Sequence, residues 1–147
     1  MKNFFLIVLV LLFSACNSNK KFSDFDYSYS RSGGYAPIYE NLLIKGNTVN
    51  YSFEGQGKNI KKSFKISSQD LQKIEAALTE NNFRTIQEDY KKVYDNVSIA
   101  INVKKGDNSG SKSDASFIMK KDQERWKSIV AVFHEIINAQ GNLATTK

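Results

Sequence analysis

Few residues in this chain can do chemistry, and their spacing limits what that chemistry can be. Cys16 is the only cysteine and His134 the only histidine in 147 residues. A structural zinc site takes four ligands from thiolates, imidazoles and carboxylates, so no metal ligand set is expected. His134 lies beside an apolar helical stripe, near Val130 and Ile137. No acid or nucleophile stands at motif spacing to make it a general base. It reads as a boundary position on a helix. Glu88-Asp89 and Asp95 bracket Tyr90 and Tyr94. Glycosidases pair carboxylates across a cleft, but this spacing reads equally as solvated loop charge or a weak Ca²⁺ site. The loop around Asp107 lacks the ligand pattern of an EF-hand. Ser32-Gly33-Gly34-Tyr35 lacks the lysine and spacing of a phosphate loop, and a hairpin turn accounts for it. Ser68 and Ser98 sit in no nucleophile elbow. The expectation is a chain with no catalytic residue and no cofactor.

Cys16 is a different matter, because of what precedes it. Lys2 is a charged n-region, Phe4 to Phe13 is an apolar run, and Ser14-Ala15 are small residues before a cleavage point. The run is too short to span a bilayer comfortably, since spanning takes about 20 apolar residues. Phe13-Ser14-Ala15-Cys16 resembles a bacterial lipobox, with Phe13 where leucine is more usual. The resemblance implies cleavage before Cys16, a diacylglyceryl thioether on its sulfur and an amide-linked acyl chain. More than one acyl chain makes anchoring stable. No Asp follows Cys16 and no acidic cluster follows it either. The expected location is therefore the cell envelope, at the periplasmic face of the outer membrane. With Cys16 lipidated no thiol remains for a disulfide, a metal or a nucleophile.

The division that follows is 1–15 signal peptide, 16–21 lipidated tether, 22–141 one domain and 142–147 tail. Such a domain is long enough to bury a working core. The net charge is +6, or +5 once Lys2 leaves with the signal, and Arg31, Arg84 and Arg125 are the only arginines. A lysine-dominated charge is a diffuse field rather than a bidentate phosphate-reading surface. It disfavours nucleic acid and suits anionic headgroups or acidic glycans. Lys20-Lys21 would face the headgroups.

The elements that must position any site are readable from period. Alternation predicts a strand over about 22–31, with Phe25, Tyr27 and Tyr29 on one face. Ser32-Gly33-Gly34 reads as a turn, and a second strand is expected over 35–45, with Pro37 near its start. Gly46-Asn47 is a tight turn before a third strand over 48–54, in which Val49, Tyr51 and Phe53 share a face. A fourth strand is expected over 60–66. Ser67 and Asp70 make a capping-box start for a helix with the stripe Leu71, Ile74, Ala77 and Leu78, ended by Asn81-Asn82. Phe83 and Ile86 should pack under it. Residues 88–96 read as a polar connector. Val97, Ile99, Ile101 and Val103 alternate strictly, and Gly106 to Gly110 is a hairpin loop. The next strand is expected to face Ala115, Phe117 and Met119 inward. Asp122 can cap a last helix whose core face is Trp126, Ile129, Val130, Phe133, Ile136 and Ile137, with Gly141 as its C′ residue. The fold class is α+β: a two-layer, mostly antiparallel sheet of about six strands with two helices on one face.

Five tyrosines, Tyr27, Tyr29, Tyr35, Tyr39 and Tyr51, fall in the first three strands. On a free face of the sheet they would form a binding patch; facing the helices they would be core. Ser32-Gly33-Gly34-Tyr35-Ala36-Pro37-Ile38-Tyr39-Glu40, then Gly46-Asn47-Thr48-Val49-Asn50-Tyr51, a capped helix, Asn81-Asn82-Phe83 and Tyr94-Asp95 resemble small Bacteroidota lipoproteins of uncharacterised domain families. The resemblance implies a compact α+β domain behind a lipobox and carries no activity. Some relatives have a cysteine pair near the Gly-Tyr-Ala-Pro segment, and this chain has none. The function expected is a non-enzymatic binding or interaction module with an envelope protein or glycan as partner, using the aromatic and basic face of the first four strands. The alternative is an inhibitor or immunity lipoprotein against a toxin or lysozyme-like enzyme, presenting Gly55-Gln56-Gly57-Lys58 or Gly106 to Gly110. Basic charge counts against a lysozyme partner.

Overall fold

Alternating apolar residues give six strands, and their pairing puts one phase of each strand against two helices. The computed structural model describes residues 24–91 and 95–142. The signal peptide, Cys16, the tether, Phe22, Tyr94 and the end of the tail lie outside the described residues. The strands are β1 (Tyr27–Gly33), β2 (Ile38–Lys45), β3 (Thr48–Gly55), β4 (Lys58–Lys65), β5 (Val97–Val103) and β6 (Gly110–Ser113). The helices are α1 (Ser68–Glu80) and α2 (Gln123–Asn142). The sheet order is β4-β3-β2-β1-β5-β6 and every neighbouring pair is antiparallel. The expected α+β architecture is the one observed.

Register fixes which side chains share a face, since directly paired residues point the same way. Tyr27 pairs with Ile44 and Val103, and Tyr29 with Leu42 and Ile101. These line the helix side with Val49, and all are buried. The cover comes from Ile74 and Leu78 of α1 and from Trp126, Ile129, Val130, Phe133 and Ile136 of α2. Phe83 and Ile86 are fully buried beneath α1's end, as their spacing predicts. Ser67 caps α1 as expected: its hydroxyl accepts the Asp70 N–H, and the Asp70 carboxylate accepts the Ser67 N–H.

The structure corrects several boundaries. β1 is assigned from Tyr27, although the Asp26 N–H still donates to Ile44 O at 2.8 Å and its O accepts the Lys104 N–H at 2.8 Å; the Asp26 carboxylate accepts the Gly46 N–H at 2.8 Å in the β2–β3 turn. β1 then runs through Ser32-Gly33 rather than turning there. Gly33 has φ +109, and a Cβ on it would lie 2.3 Å from the Asn96 carbonyl oxygen, so only glycine fits. β2 begins at Ile38, after a turn over Gly34–Pro37. The largest correction is after β6, where Phe117 and Met119 point outward and Ile118 is buried. Asp114 breaks the strand by accepting the Ile99 N–H at 2.6 Å and the Trp126 indole N–H at 3.0 Å. The turn it starts (Phe117 N–H to Asp114 O, 2.9 Å) reverses the phase. Asp122 spends its carboxylate on the Gln87 N–H and on Arg125 rather than on a cap. Finally, α2 continues through Gly141 to Asn142.

Candidate functional site

Both helices lie on one side of the sheet, so the other side has no cover among the described residues. It carries the opposite phase of every strand: Ser28, Ser30 and Ser32 on β1; Tyr39, Asn41 and Leu43 on β2; Asn50 and Ser52 on β3; Lys61 and Ser63 on β4; Ser98, Ala100 and Asn102 on β5. The same phase also carries Lys45, Glu54 and Lys65 toward the strand ends, with Glu54 directly opposite Tyr39, while its middle around Lys61 is mostly short hydroxyl and amide side chains. A solvated sheet face needs polar residues, but it does not need these. Asparagine is depleted in strands, yet Asn41, Asn50 and Asn102 occupy interior strand positions. Where local preference is overridden without a packing reason, surface chemistry is the usual cause.

The face is not flat. Asn41, Leu43, Asn50, Tyr51, Ser52, Lys61, Lys62 and Ser63 line a shallow hollow of about 380 Å³ across β2, β3 and β4. Leu43 is its apolar floor, and amides, hydroxyls and two ammonium groups surround it. Tyr39 stands beside it, 53 % exposed, on the same strand and face as Asn41 and Leu43. At the β1–β5 seam the face is closed: Asn102 Nδ2 donates to Ser28 Oγ at 3.1 Å, and Ser28 is only 5 % exposed.

The titratable residues gather on the helix side instead, and they are bonded to each other. The Tyr51 hydroxyl donates to Glu40 Oε1 at 2.8 Å, and Arg31 Nε lies 2.8 Å from Glu40 Oε2. That second contact is an ion pair in distance, but the N–H is not aligned as a hydrogen bond. Tyr29 is fully buried, stacks on Phe133 at 5.7 Å and places its hydroxyl 2.7 Å from His134 Nε2. Burial, and the Arg31 charge after it, hold His134 below its usual range, while Glu40 opposes them. Burial raises the Tyr29 hydroxyl. The two groups share one short hydrogen bond, and which of them donates follows the imidazole tautomer. Tyr27 donates to Glu75 Oε1 at 2.7 Å, and burial and that bond raise its pKa. Burial and the Glu40 bond do the same for Tyr51.

The five tyrosines therefore do not form one patch. Tyr27 and Tyr29 are core because their phase faces the helices. Tyr51 is half-buried in the Glu40 cluster, and also lines a second hollow of about 470 Å³ with Ile60, Lys62, Phe64, Ile137, Asn138 and Gln140. Tyr35 is 93 % exposed at the tip of the β1–β2 turn. Only Tyr39 stands on the open face. Sequence reasoning missed Asn41, Asn50 and Ser52; their signal is the off-phase of the same alternation that gave the strands.

The remaining sequence candidates are scattered. The Glu88 carboxylate accepts the Ser113 N–H at 2.8 Å, and Asp89 pairs with Lys91 at 2.6 Å. The loop Gly55–Lys58 is exposed from Gln56 onward. The loop Gly106–Gly110 is tied down, with Asn108 Nδ2 donating to Thr79 Oγ1 at 2.9 Å. Among the described residues, no group of three or more His, Cys, Asp and Glu stands close enough to hold a metal ion. No helix among them is long and apolar enough to cross a membrane. No protein-family model matches the chain and no curated protein matches it, so the resemblance to small Bacteroidota lipoproteins rests on its short motifs.

Proposed function

We propose that this chain is a membrane-anchored envelope lipoprotein whose domain is a non-enzymatic module that binds glycan on its open sheet face. The observation that carries the reading is the hollow beside Tyr39, lined by Asn41, Asn50, Ser52, Ser63 and Lys61 around Leu43. Sugars present hydroxyl groups along their edges and C–H groups on their faces. Amides and serine hydroxyls donate and accept toward the first, and an exposed tyrosine ring and a leucine floor meet the second. Lys61 adds a point charge for a carboxylate on the sugar. Binding sites of this kind are shallow hollows with an apolar floor and a few convergent polar groups. The helix-side cluster supports a non-catalytic reading in its own way: its hydroxyls, carboxylate and imidazole are spent on one another inside the core.

The anchor part of the reading is supported by the run Phe4 to Phe13 ahead of Ser14-Ala15-Cys16. Metabolic labelling with a palmitate analogue checks it, with label expected on the wild type and absent from Cys16→Ser. The binding part is tested by co-sedimentation with purified peptidoglycan sacculi and by titration with soluble muropeptides. Wild type should pellet and Tyr39→Ala should not. Wild-type-like pelleting by Tyr39→Ala and Asn41→Ala together would remove the open face from the function.

A further inference from the structure

One exposed cluster is left over from this reading, at the opposite edge of the sheet. Tyr90, Phe117 and Met119 are among the few large apolar residues on the surface; Tyr90 is 82 % exposed. Phe117 and Met119 share one phase of a short ribbon in which the segment after α1 pairs with the segment after β6, and Tyr90 stands at the end of its other strand. Asp89 N–H donates to Phe117 O at 3.0 Å and Met119 N–H to Gln87 O at 2.9 Å, around a Glu88–Ile118 bridge. Ile118 is the inward phase of this ribbon, so its neighbours Phe117 and Met119 face out. The ribbon is held from several sides. Asp122 accepts the Gln87 N–H, Gln123 Nε2 donates to Ile118 O at 3.3 Å, and Glu88 accepts the Ser113 N–H.

Its backbone is also strained where the aromatics sit. Tyr90 has φ +54 and Phe117 φ +64. Bulky residues rarely adopt the left-handed region, and such strain persists where the surroundings enforce it, often at functional positions. Exposed Lys120 and Lys121 flank the cluster, with Lys91 nearby in an ion pair with Asp89. An aromatic and thioether centre with a lysine rim complements an anionic bilayer surface: the rings enter the interface and the ammonium groups meet the headgroups.

We infer that the ribbon carrying Tyr90, Phe117 and Met119 is a membrane-contact surface that seats the domain on an anionic bilayer. The inference rests on the lipoprotein reading for how the domain is brought there. The chain between Cys16 and Asp24 reaches at most roughly 25–30 Å. β6 lies two strands from β1, roughly 10 Å across the sheet, and the ribbon after it lies toward the Arg31 end of β1, roughly 20 Å further along the strands; with the β6 edge laid on the membrane the tether has only the roughly 10 Å width to cross. It is too short for the domain to stand far off. Several acyl chains already make the anchor stable, so this second contact would orient the domain rather than hold it at the membrane. With this edge down, the hollow on β2–β4 lies at the far side of the sheet.

The test uses the mature lipoprotein reconstituted in vesicles of phosphatidylglycerol and phosphatidylethanolamine. Acylated Cys16 leaves an introduced cysteine as the sole thiol, so Met119→Cys and, as a control on the open face, Ser63→Cys can each carry a polarity-sensitive fluorophore. A blue shift at position 119 and none at 63, reversed by Lys120→Glu with Lys121→Glu, is expected. Equal shifts at both positions, or none at 119, overturn the inference and leave the cluster as a docking point for a protein. Intact mass separately reports Cys16 acylation. If Cys16 is unmodified, the anchor reading fails, and the same contrast in a Cys16→Ser background with added vesicles still decides the ribbon.

Discussion

The two faces of this sheet use the same residue type for opposite purposes. On the helix side Tyr27, Tyr29 and Tyr51 are held in or against the core, and each hydroxyl is given a partner: Glu75, His134 and Glu40. On the open side Tyr39 has neither cover nor burial. Tyr29 sits one strand away from Tyr39 and in the other phase. A tyrosine's place here is set by register parity and not by strand or composition. Parity also separates stability from recognition, so that substitutions on the two faces should have effects of different kind.

The largest effect that would sharpen this contrast is on the helix side. Phe133 is 1 % exposed and stacks on Tyr29. Phe133→Ala should cost about 3–5 kcal/mol, the usual range for emptying a buried aromatic site. Urea unfolding checks it, and a loss below about 1 kcal/mol would mean the helix-side face is not the core. Glu40→Ala should follow at about 1–3 kcal/mol, because it leaves Arg31 Nε and the Tyr51 hydroxyl inside without a carboxylate. The discount against a fully buried pair reflects Arg31, whose side chain is 34 % exposed. Tyr39→Ala on the open face should leave the unfolding midpoint within the spread of ordinary surface changes, about 0.5 kcal/mol. It should nonetheless weaken muropeptide binding about tenfold, the loss of about 1.4 kcal/mol of contact. Equal stability losses at Phe133 and Tyr39 would break the comparison.

On the helix side acid should act first through His134. His134 titrates below its ordinary value of about 6.5 in the folded protein, so the unfolded chain binds the proton more readily. Its contribution to stability is complete above that ordinary value and is lost as pH falls through the lower, folded one. Asp122, lowered first by Arg125 and only partly opposed by burial, has the same sign in a window below its ordinary 3.8. The urea midpoint should therefore decline between pH 7 and 5, and His134→Gln should flatten that limb. A decline of unchanged slope in His134→Gln would move the pH sensitivity elsewhere.

Much of this was legible in the sequence because alternation and capping are local. Tyr27-Ser28-Tyr29-Ser30 and the run Val97 to Val103 announce their strands, and Ser67 with Asp70 announces a helix start that the structure reproduces. The reversal at Phe117 was not legible. It depends on Asp114 reaching Ile99 and Trp126, partners on other elements that a window along the chain does not contain. Glu40 was hidden for a similar reason: a carboxylate in the buried phase of β2 makes sense only once Arg31 and Tyr51 are known to flank it. The open face was visible as the polar phase but looked like ordinary solvation, and only register places Asn41, Leu43, Asn50 and Ser52 around one hollow.

The smallest effect decides most sharply what that face is for. Asparagine forgoes strand preference relative to threonine, on a scale that spans about 1 kcal/mol in all. Asn41 and Asn50 have no packing role that would require the amide, since they face away from both helices. Asn41→Thr with Asn50→Thr should therefore raise stability by a few tenths of a kcal/mol and weaken glycan binding in the same protein. Threonine keeps a hydroxyl and adds a methyl, so the face stays polar and the hollow stays lined. What is lost is the amide's paired donor and acceptor. A gain in stability with binding lost means these strands give up local preference to hold a recognition surface. If the double variant binds as well as wild type while becoming more stable, the amides are solvation only, and the contrast between the two faces reduces to core and water.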